Sequence, residues 1–141
     1  MSNELSIPTS TDQTRMLSTI TMDTDHDKNR ALRALNSAES LASVVRPDMD
    51  TFDVVDIFQT PGVRRARQEG MPDLPCRNTY FLLADGRALM TQSDGIARSC
   101  DMLLALYPEC GRNSEKGCLT LALHEQKLPN GNTLKSVYPV D

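Results

Sequence analysis

The sequence predicts a mainly β domain over residues 52 to 140. Three strand-like segments are followed by a short helical segment and then by two further strand-like segments. An Asp85-Gly86 pair joins strands two and three, and an Asn130-Gly131 pair joins the last two strands, as expected for hairpin turns. This element order is typical of a five-stranded Greek-key barrel of the OB type, with a helix between strands three and four.

The chain is long enough for one such domain and an arm. It has 141 residues and an apolar fraction of 39%, which can supply one modest core. Residues 1 to 23 are rich in Ser, Thr, Asp and Asn, so they predict a flexible polar arm. Residues 24 to 141 are the predicted domain, and Pro47 lies shortly after its N-terminal helix. That helix is expected at about residues 27 to 43, because apolar residues recur there at helical spacing: Ala31, Leu32, Leu35, Ala38, Leu41 and Ala42.

The first strand and the segment after it have different chemistry. Thr51 to Thr60 carries an apolar pattern typical of a curved strand that is partly buried on both faces. Residues 61 to 75 contain two glycines and predict a loop whose positive edge is formed by Arg64, Arg65 and Arg67. A basic cluster of this kind is compatible both with a solvated connection and with phosphate binding, so both interpretations stay open.

Strands two and three are predicted at Arg77 to Ala84 and Arg87 to Ser93. A two-residue turn at Asp85-Gly86 places Ala84 opposite Arg87. In that register one face carries Tyr80, Leu82, Arg87, Leu89 and Thr91, and the other carries Phe81, Leu83, Ala88 and Met90. The second face is the better core candidate, so we expect the Tyr80 ring to face outward, either packing as an ordinary strand residue or offering a surface for a base.

The C-terminal part predicts a helix and a last hairpin. Ser93 can cap a helix whose apolar stripe packs into the barrel: Ile96, Ala97, Cys100, Leu103, Leu104 and Tyr107. Strand four is predicted at Cys118 to Gln126 and strand five at Thr133 to Val140. Lys127 and Lys135 flank the hairpin between these two strands.

No residue pattern predicts an enzyme or a cofactor. His26 and His124 have no visible nucleophile partner, and the glycines match neither a P-loop nor a dinucleotide fingerprint. The four cysteines (Cys76, Cys100, Cys110 and Cys118) contain no CxxC pair, so we expect thiols that pack as small hydrophobes. A zinc site formed by His124 with three of these cysteines matches no strong ligand spacing. We therefore expect a protein that is not an enzyme and has no cofactor or metal.

Charge and hydropathy limit the partners. The first 60 residues carry ten acids and five bases, whereas residues 61 to 141 carry nine acids and ten bases. Only the second part could attract a polyanion, and a net charge of −4 argues against a protein that grips duplex DNA through many phosphates. A single strand can be held largely by base stacking beside a local basic groove. The chain contains no apolar run of about 18 residues and no signal-peptide pattern, so we expect a cytoplasmic protein without a membrane span.

Three segments resemble one protein family. They are DKNRALRALNSAESL, TYFLLADGRALMTQSDGIARS and HEQKLPNGNTLKSVYPV, which begin at Asp27, Thr79 and His124. In element order, residues 28 to 140 resemble the OB-fold single-stranded DNA-binding proteins of small tailed phages with protein-primed replication, and those of related mobile elements. The resemblance implies a protein that coats and protects displaced strands during replication, in the host cytoplasm if it is phage-encoded. It also implies single-stranded DNA and possible replication proteins as partners.

The expected groove is formed by strands two and three and bordered by the first and last hairpin loops. Base stacking is expected from Tyr80, the aromatic position that matches the family, and also from Phe58 and Tyr138. Phosphate contacts are expected from Arg64, Arg65, Arg67, Arg77, Arg87, Lys127 and Lys135. The alternative is an OB-like adaptor or inhibitor that binds a replication or host-defence protein through a strand edge or the N-terminal helix.

Overall fold

β structure predominates over helix, which confirms the mainly β prediction. The computed structural model describes residues 17–18, 25–66, 68–107 and 117–140. Its helices are α1 (Asp25–Ser37), α2 (Leu41–Val44) and α3 (Asp94–Leu106). Its strands are β1 (Leu17–Ser18), β2 (Glu39–Ser40), β3 (Thr51–Arg64), β4 (Leu74–Leu83), β5 (Ala88–Thr91), β6 (Leu119–Lys127) and β7 (Thr133–Pro139). Arg67 and Cys110, as well as most of the predicted arm, lie outside these described residues.

All the strands belong to one curled sheet with the order β2-β5-β4-β3-β6-β7, and β1 pairs with β3. The long strand β3 is shared by two neighbours. Residues Thr51 to Val54 pair with β6, and residues from Val54 to Arg64 pair with β4. A register shift between Val54 and Asp56 marks the bend between these halves, as a β-bulge does in strongly curved sheets. The result is a half-barrel with a concave inner face.

Helix α3 packs against the inner face. Ser93 caps it by accepting a hydrogen bond from the Ile96 amide at 3.2 Å, as its sequence predicts. Its apolar stripe joins a core cluster with residues of the sheet and of α2: Leu41, Val45, Phe52, Val54, Ile57, Phe81, Leu83, Leu89, Ile96, Cys100, Leu103, Leu121, Leu123 and Val137. This cluster is the main hydrophobic core of the part of the chain that the structure describes.

The sheet does not close into the predicted five-stranded barrel. No pairing joins β5 to β7 among the strands that the structure describes. Helix α3 lies against β7 instead, and the Val137 amide donates to the Ser99 hydroxyl at 3.3 Å. A Cβ at Gly95 would overlap the carbonyl oxygen of Lys135, so the glycine permits this close approach. The helix therefore occupies an edge that a fifth strand pairing would otherwise use.

The β4–β5 hairpin differs from its predicted register by one residue. Leu82 pairs with Ala88, and the Leu83 amide donates to the Arg87 carbonyl at 2.9 Å. The loop thus has three residues and ends at Gly86, whose φ of 93° suits glycine, rather than forming a two-residue turn. Because a shift of one residue exchanges the two faces of a strand, Leu89 joins the inner core and Ala88 faces outward. The predicted face assignment for this strand was wrong.

The N-terminal region also differs from the prediction. Helix α1 ends at Ser37, not near residue 43, and Glu39–Ser40 then pairs in parallel with Leu89–Met90 of β5. Leu17–Ser18, within the predicted flexible arm, pairs with Phe58 and Gln59 of β3. Backbone pairing with the sheet therefore competes with the helical and polar patterns of these segments. None of the helices in the described ranges is long and apolar enough to span a membrane.

Candidate nucleic-acid interface

The outer face of β3 and β4 carries a stacked aromatic pair. The rings of Phe58 and Tyr80 have centroids 4.8 Å apart and an interplanar angle of 9°. Helix α1 covers them with Ala31 and Ala34, and the pair is almost fully buried, with exposed fractions of 0% for Phe58 and 7% for Tyr80. Tyr80 thus lies on the outer face of the sheet, as predicted, but helix α1 covers it, so no base can reach either ring while α1 is in place.

An ion pair joins α1 to the same face. A guanidinium nitrogen of Arg30 lies 3.2 Å from a carboxylate oxygen of Asp56, whose side chain is completely buried. Asp56 follows the bend of β3, opposite Leu82 in the sheet. A carboxylate buried at this depth requires polar partners, and Arg30 is one of them. The contact orients α1 across the sheet and brings its basic residues over β4 and β5.

Three of the predicted phosphate ligands already contact carboxylates: Arg64, Arg77 and Arg87. Both terminal nitrogens of Arg77 contact Asp101, at 2.9 and 3.0 Å, and one also donates to the Gln59 amide oxygen at 2.9 Å. Arg64 lies 3.3 Å from Asp94 and also donates to the carbonyl oxygen of Gln92. The Arg77 pair is bidentate and half-buried, so it serves the contact between β4 and α3 more than a ligand.

Three further predicted cations that the structure describes are more accessible. Arg65 and Lys127 are exposed and Lys135 is half-buried, and none of the three has an ion pair among the described residues. Lys127 and Lys135 lie on the β6–β7 hairpin, where Lys135 pairs in register with Glu125. Tyr138 of β7 is 42% exposed and its ring contacts His124 edge to face at 6.3 Å. This hairpin therefore keeps an accessible aromatic ring and two lysines.

A basic cleft lies between α1 and the β4–β5 hairpin, and the sequence did not predict it. Its volume is about 290 Å³, and Arg30, Arg33 and Arg87 line it over a floor that includes Leu82 and Ala88. The Arg87 side chain contacts Asp85 at 2.9 Å. Arg30 and Arg33 are three residues apart on one helix face, a spacing visible in the sequence. Their approach to Arg87 is a tertiary contact that no local pattern reveals.

A second cavity has the opposite character. It measures about 680 Å³ and lies beside the start of β3, where three carboxylates (Asp50, Asp53 and Asp85) and Arg87 line it. Asp50 is bound by Arg46, which holds the pKa of that carboxyl below its usual value. An excess of carboxylates disfavours a polyanion here. Among the described residues, no three His, Cys, Asp or Glu side chains are placed to hold a metal ion.

Comparison with known proteins adds no relative. No protein-family model, curated protein or solved structure matches the chain. The resemblance to phage single-stranded DNA-binding proteins thus stays a prediction. The arrangement itself offers two basic, accessible regions: the β6–β7 hairpin and the cleft between α1 and the β4–β5 hairpin.

Proposed function

We propose that this protein binds single-stranded DNA without sequence preference and coats displaced strands during replication. The observation that carries the proposal is the division of β3 between β4 and β6 at a bulge, with α3 following β5. This pairing order supports an OB-type relationship, although the sheet is open between β5 and β7. OB-type surfaces commonly hold oligonucleotides beside β2 and β3 of the barrel, which correspond in order to β4 and β5 here.

The contacts that we propose differ from those expected from sequence, because the Phe58–Tyr80 pair is buried. Arg65 lies beyond the end of β3, and Lys127 and Lys135 lie on the β6–β7 hairpin, where they can reach phosphates without breaking an ion pair. Tyr138 is the accessible ring nearest to these lysines along the chain, and the register places it on the other face of the β6–β7 hairpin, so a strand that contacts both must pass around the hairpin. One stacked base contributes about 1–3 kcal/mol when measured by truncation of the ring. A single accessible tyrosine with a few cations supports modest, strongly salt-dependent affinity.

The test is a titration of fluorescent oligo-dT with the full chain at two salt concentrations. We expect micromolar binding at low salt that weakens as salt rises, because bound phosphates release counterions. The double variant Lys127→Gln/Lys135→Gln should weaken binding to oligo-dT and oligo-dC by the same factor. The matched control is Arg98→Gln, which removes an exposed cation of α3. Absence of binding by the unmodified protein at low salt would refute the proposed function.

A second candidate function, binding to another protein, is favoured by an exposed apolar group on the β3–β4 hairpin. Val63, Met71 and Leu74 are each 58–60% exposed. Met71 and Leu74 also line a cleft of about 330 Å³ together with Arg64 and Arg65. Apolar side chains gathered at one hairpin are typical of an interaction surface.

The two candidates can be separated with the variant Met71→Ser/Leu74→Ser. A partner that is retained by the unmodified protein in a pull-down and lost with this variant would support the adaptor function. Oligo-dT affinity should change little, because the variant retains Arg65 and leaves the β6–β7 hairpin untouched. Loss of DNA affinity in the variant would instead assign the β3–β4 hairpin to the DNA-binding surface.

A further inference from the structure

We propose that the cleft between α1 and the β4–β5 hairpin binds a phosphate group, which is a phosphodiester of the single strand when the protein is bound to DNA. This inference rests on the proposed function for the identity of the ligand, and on the geometry of three arginines for the site. Arg30 and Arg33 approach from the helix, and Arg87 approaches from the hairpin. Arginine forks suit phosphate oxygens because they donate two parallel hydrogen bonds.

The three arginines of the cleft have guanidinium N–H groups that their ion pairs do not use. Arg30 uses one terminal nitrogen for Asp56, and Arg87 uses its Nε for Asp85, so each retains further N–H groups. Arg33 makes no side-chain hydrogen bond or ion pair within the described ranges. Three guanidinium groups and two carboxylates leave one net positive charge at the cleft. That charge lies on the protein surface, where a monoanionic phosphodiester would neutralise it.

The two ion pairs have different roles in this site. Asp56 is fully buried and helps to fix Arg30, so this guanidinium is oriented before any ligand arrives. The Arg87–Asp85 pair is half-exposed on both sides, with exposed fractions of 51% and 53%. Such surface pairs contribute little net stability, so a phosphate oxygen can replace the Asp85 carboxylate at small cost. Arg33 supplies the unpaired charge.

The size and lining of the cleft suit a phosphate group of a bound DNA strand. Leu82 and Ala88, both at most 6% exposed, form an apolar floor, and the volume of about 290 Å³ is several times the roughly 30 Å³ of one water molecule. The cleft lies on the outer face of β4 and β5, beside the rings that α1 covers. Single-stranded DNA held here would therefore run along helix α1 instead of across Tyr80.

The site can be tested apart from DNA with inorganic phosphate as the probe. In NMR spectra of the ¹⁵N-labelled full chain, phosphate should shift the Nε–Hε signals of Arg33 and Arg87 saturably, while the Arg98 signal stays in place. Arg33→Gln should abolish the saturable shift at Arg87. Acetate at the same ionic strength should have a much smaller effect, and equal shifts with acetate would overturn the assignment to phosphate.

Binding of DNA at the same site is tested with oligo-dT of one length, with and without a 5′-phosphate. Arg33→Gln should weaken the affinity for both oligonucleotides about three- to tenfold at low salt. It should also lower the slope of log affinity against log salt concentration by about 0.7, the value for one phosphate of a single strand. Arg33→Lys should restore part of the affinity, and Arg98→Gln should have no such effect. A loss confined to the 5′-phosphorylated oligonucleotide would overturn the phosphodiester in favour of a terminal phosphate.

The outcomes for the site and for the proposed function are distinguishable. If phosphate shifts Arg33 but the unmodified protein does not bind oligo-dT, the proposed function fails and the phosphodiester fails with it, leaving a site for a small phosphate. If the protein binds oligo-dT but Arg33→Gln matches Arg98→Gln and phosphate shifts neither arginine, the site is refuted and the proposed function stands.

Discussion

Phe58 and Tyr80 stack face to face across β3 and β4, and helix α1 lies directly on them. Ala31 and Ala34 supply the helix face, and such small side chains let the helix approach the rings closely. The pair therefore forms a second, smaller core on the outer side of the sheet, at the place where a base-binding surface was expected. Its energetic role in this conformation is to hold the N-terminal helix.

This arrangement predicts that Tyr80→Ala reduces stability. Removing a buried ring costs about 3 kcal/mol or more, from lost transfer free energy and from the cavity that remains. Urea unfolding monitored by circular dichroism should show this loss, whereas Tyr138→Ala, which truncates a ring that is 42% exposed, should cost below about 1 kcal/mol. Unchanged stability of Tyr80→Ala together with lost oligo-dT affinity would show that the ring is a binding surface and that α1 does not stay in place.

The features that were predicted well are turns and helix caps, which depend on strong local signals. The Asn130-Gly131 pair lies in the turn between β6 and β7, and Ser93 caps α3, because turn geometry and capping depend on neighbouring residues alone. The Asp85-Gly86 hairpin shows the limit of such signals. Its sequence suits either a two-residue or a three-residue loop, and the choice that buries Leu89 depends on the whole core.

The candidate site was less predictable for a related reason. Arg64, Arg77 and Arg87 form a basic set in the sequence, yet Arg64 and Arg77 each contact an aspartate of α3 that folding brings to them, and Arg87 contacts Asp85 within its own turn. The burial of Tyr80 depends on where α1 lies, and residue spacing does not encode that position. The spacing of Arg30 and Arg33 is visible in the sequence, but two basic residues on an exposed helix face do not by themselves distinguish a binding site from a solvated surface.

The ion pair beneath α1 makes a second prediction. Arg30→Met removes a partner of the fully buried Asp56 carboxylate and should cost about 1–3 kcal/mol of stability. Arg33→Met, on the same helix but without a carboxylate partner among the described residues, is the matched control and should be nearly neutral. Chemical denaturation of both variants measures the difference. Equal effects of the two substitutions would mean that Arg30 does not stabilise the contact between helix and sheet.

Close packing of α3 against β7 makes a third prediction. In Gly95→Ala, the new methyl group would overlap the Lys135 carbonyl, so the helix must move away from the strand. Overpacking of this kind costs about 1–3 kcal/mol and outweighs the gain of up to about 1 kcal/mol in helix propensity. The melting temperature should fall, whereas Met102→Ala, at a 69% exposed position of α3, should leave it nearly unchanged. A higher melting temperature for Gly95→Ala would contradict the close contact.

Acid sensitivity is predicted for the contact between Asp48 and His124. Nδ1 of His124 lies 2.7 Å from a carboxylate oxygen of Asp48, and this hydrogen bond is the main cause that lowers the pKa of Asp48. An unfolded aspartate has a pKa of about 3.9, so the contact stabilises the fold above that pH. The stabilisation is lost as the pH falls through the lower pKa of the folded state.

Asp48→Asn isolates this effect because Asp48 has a φ of 60°, in the left-handed region that asparagine also tolerates. Unfolding free energies from urea titrations should differ between the variant and the unmodified protein at about pH 6, and the difference should shrink progressively as the pH falls below about 4, because the folded-state pKa of Asp48 lies below its ordinary value. Glu69→Gln, which removes an exposed acid without an ion pair in the described ranges, should show no comparable pH dependence. A difference between Asp48→Asn and the unmodified protein that stays constant over this range would mean that the charge of Asp48 does not contribute to stability.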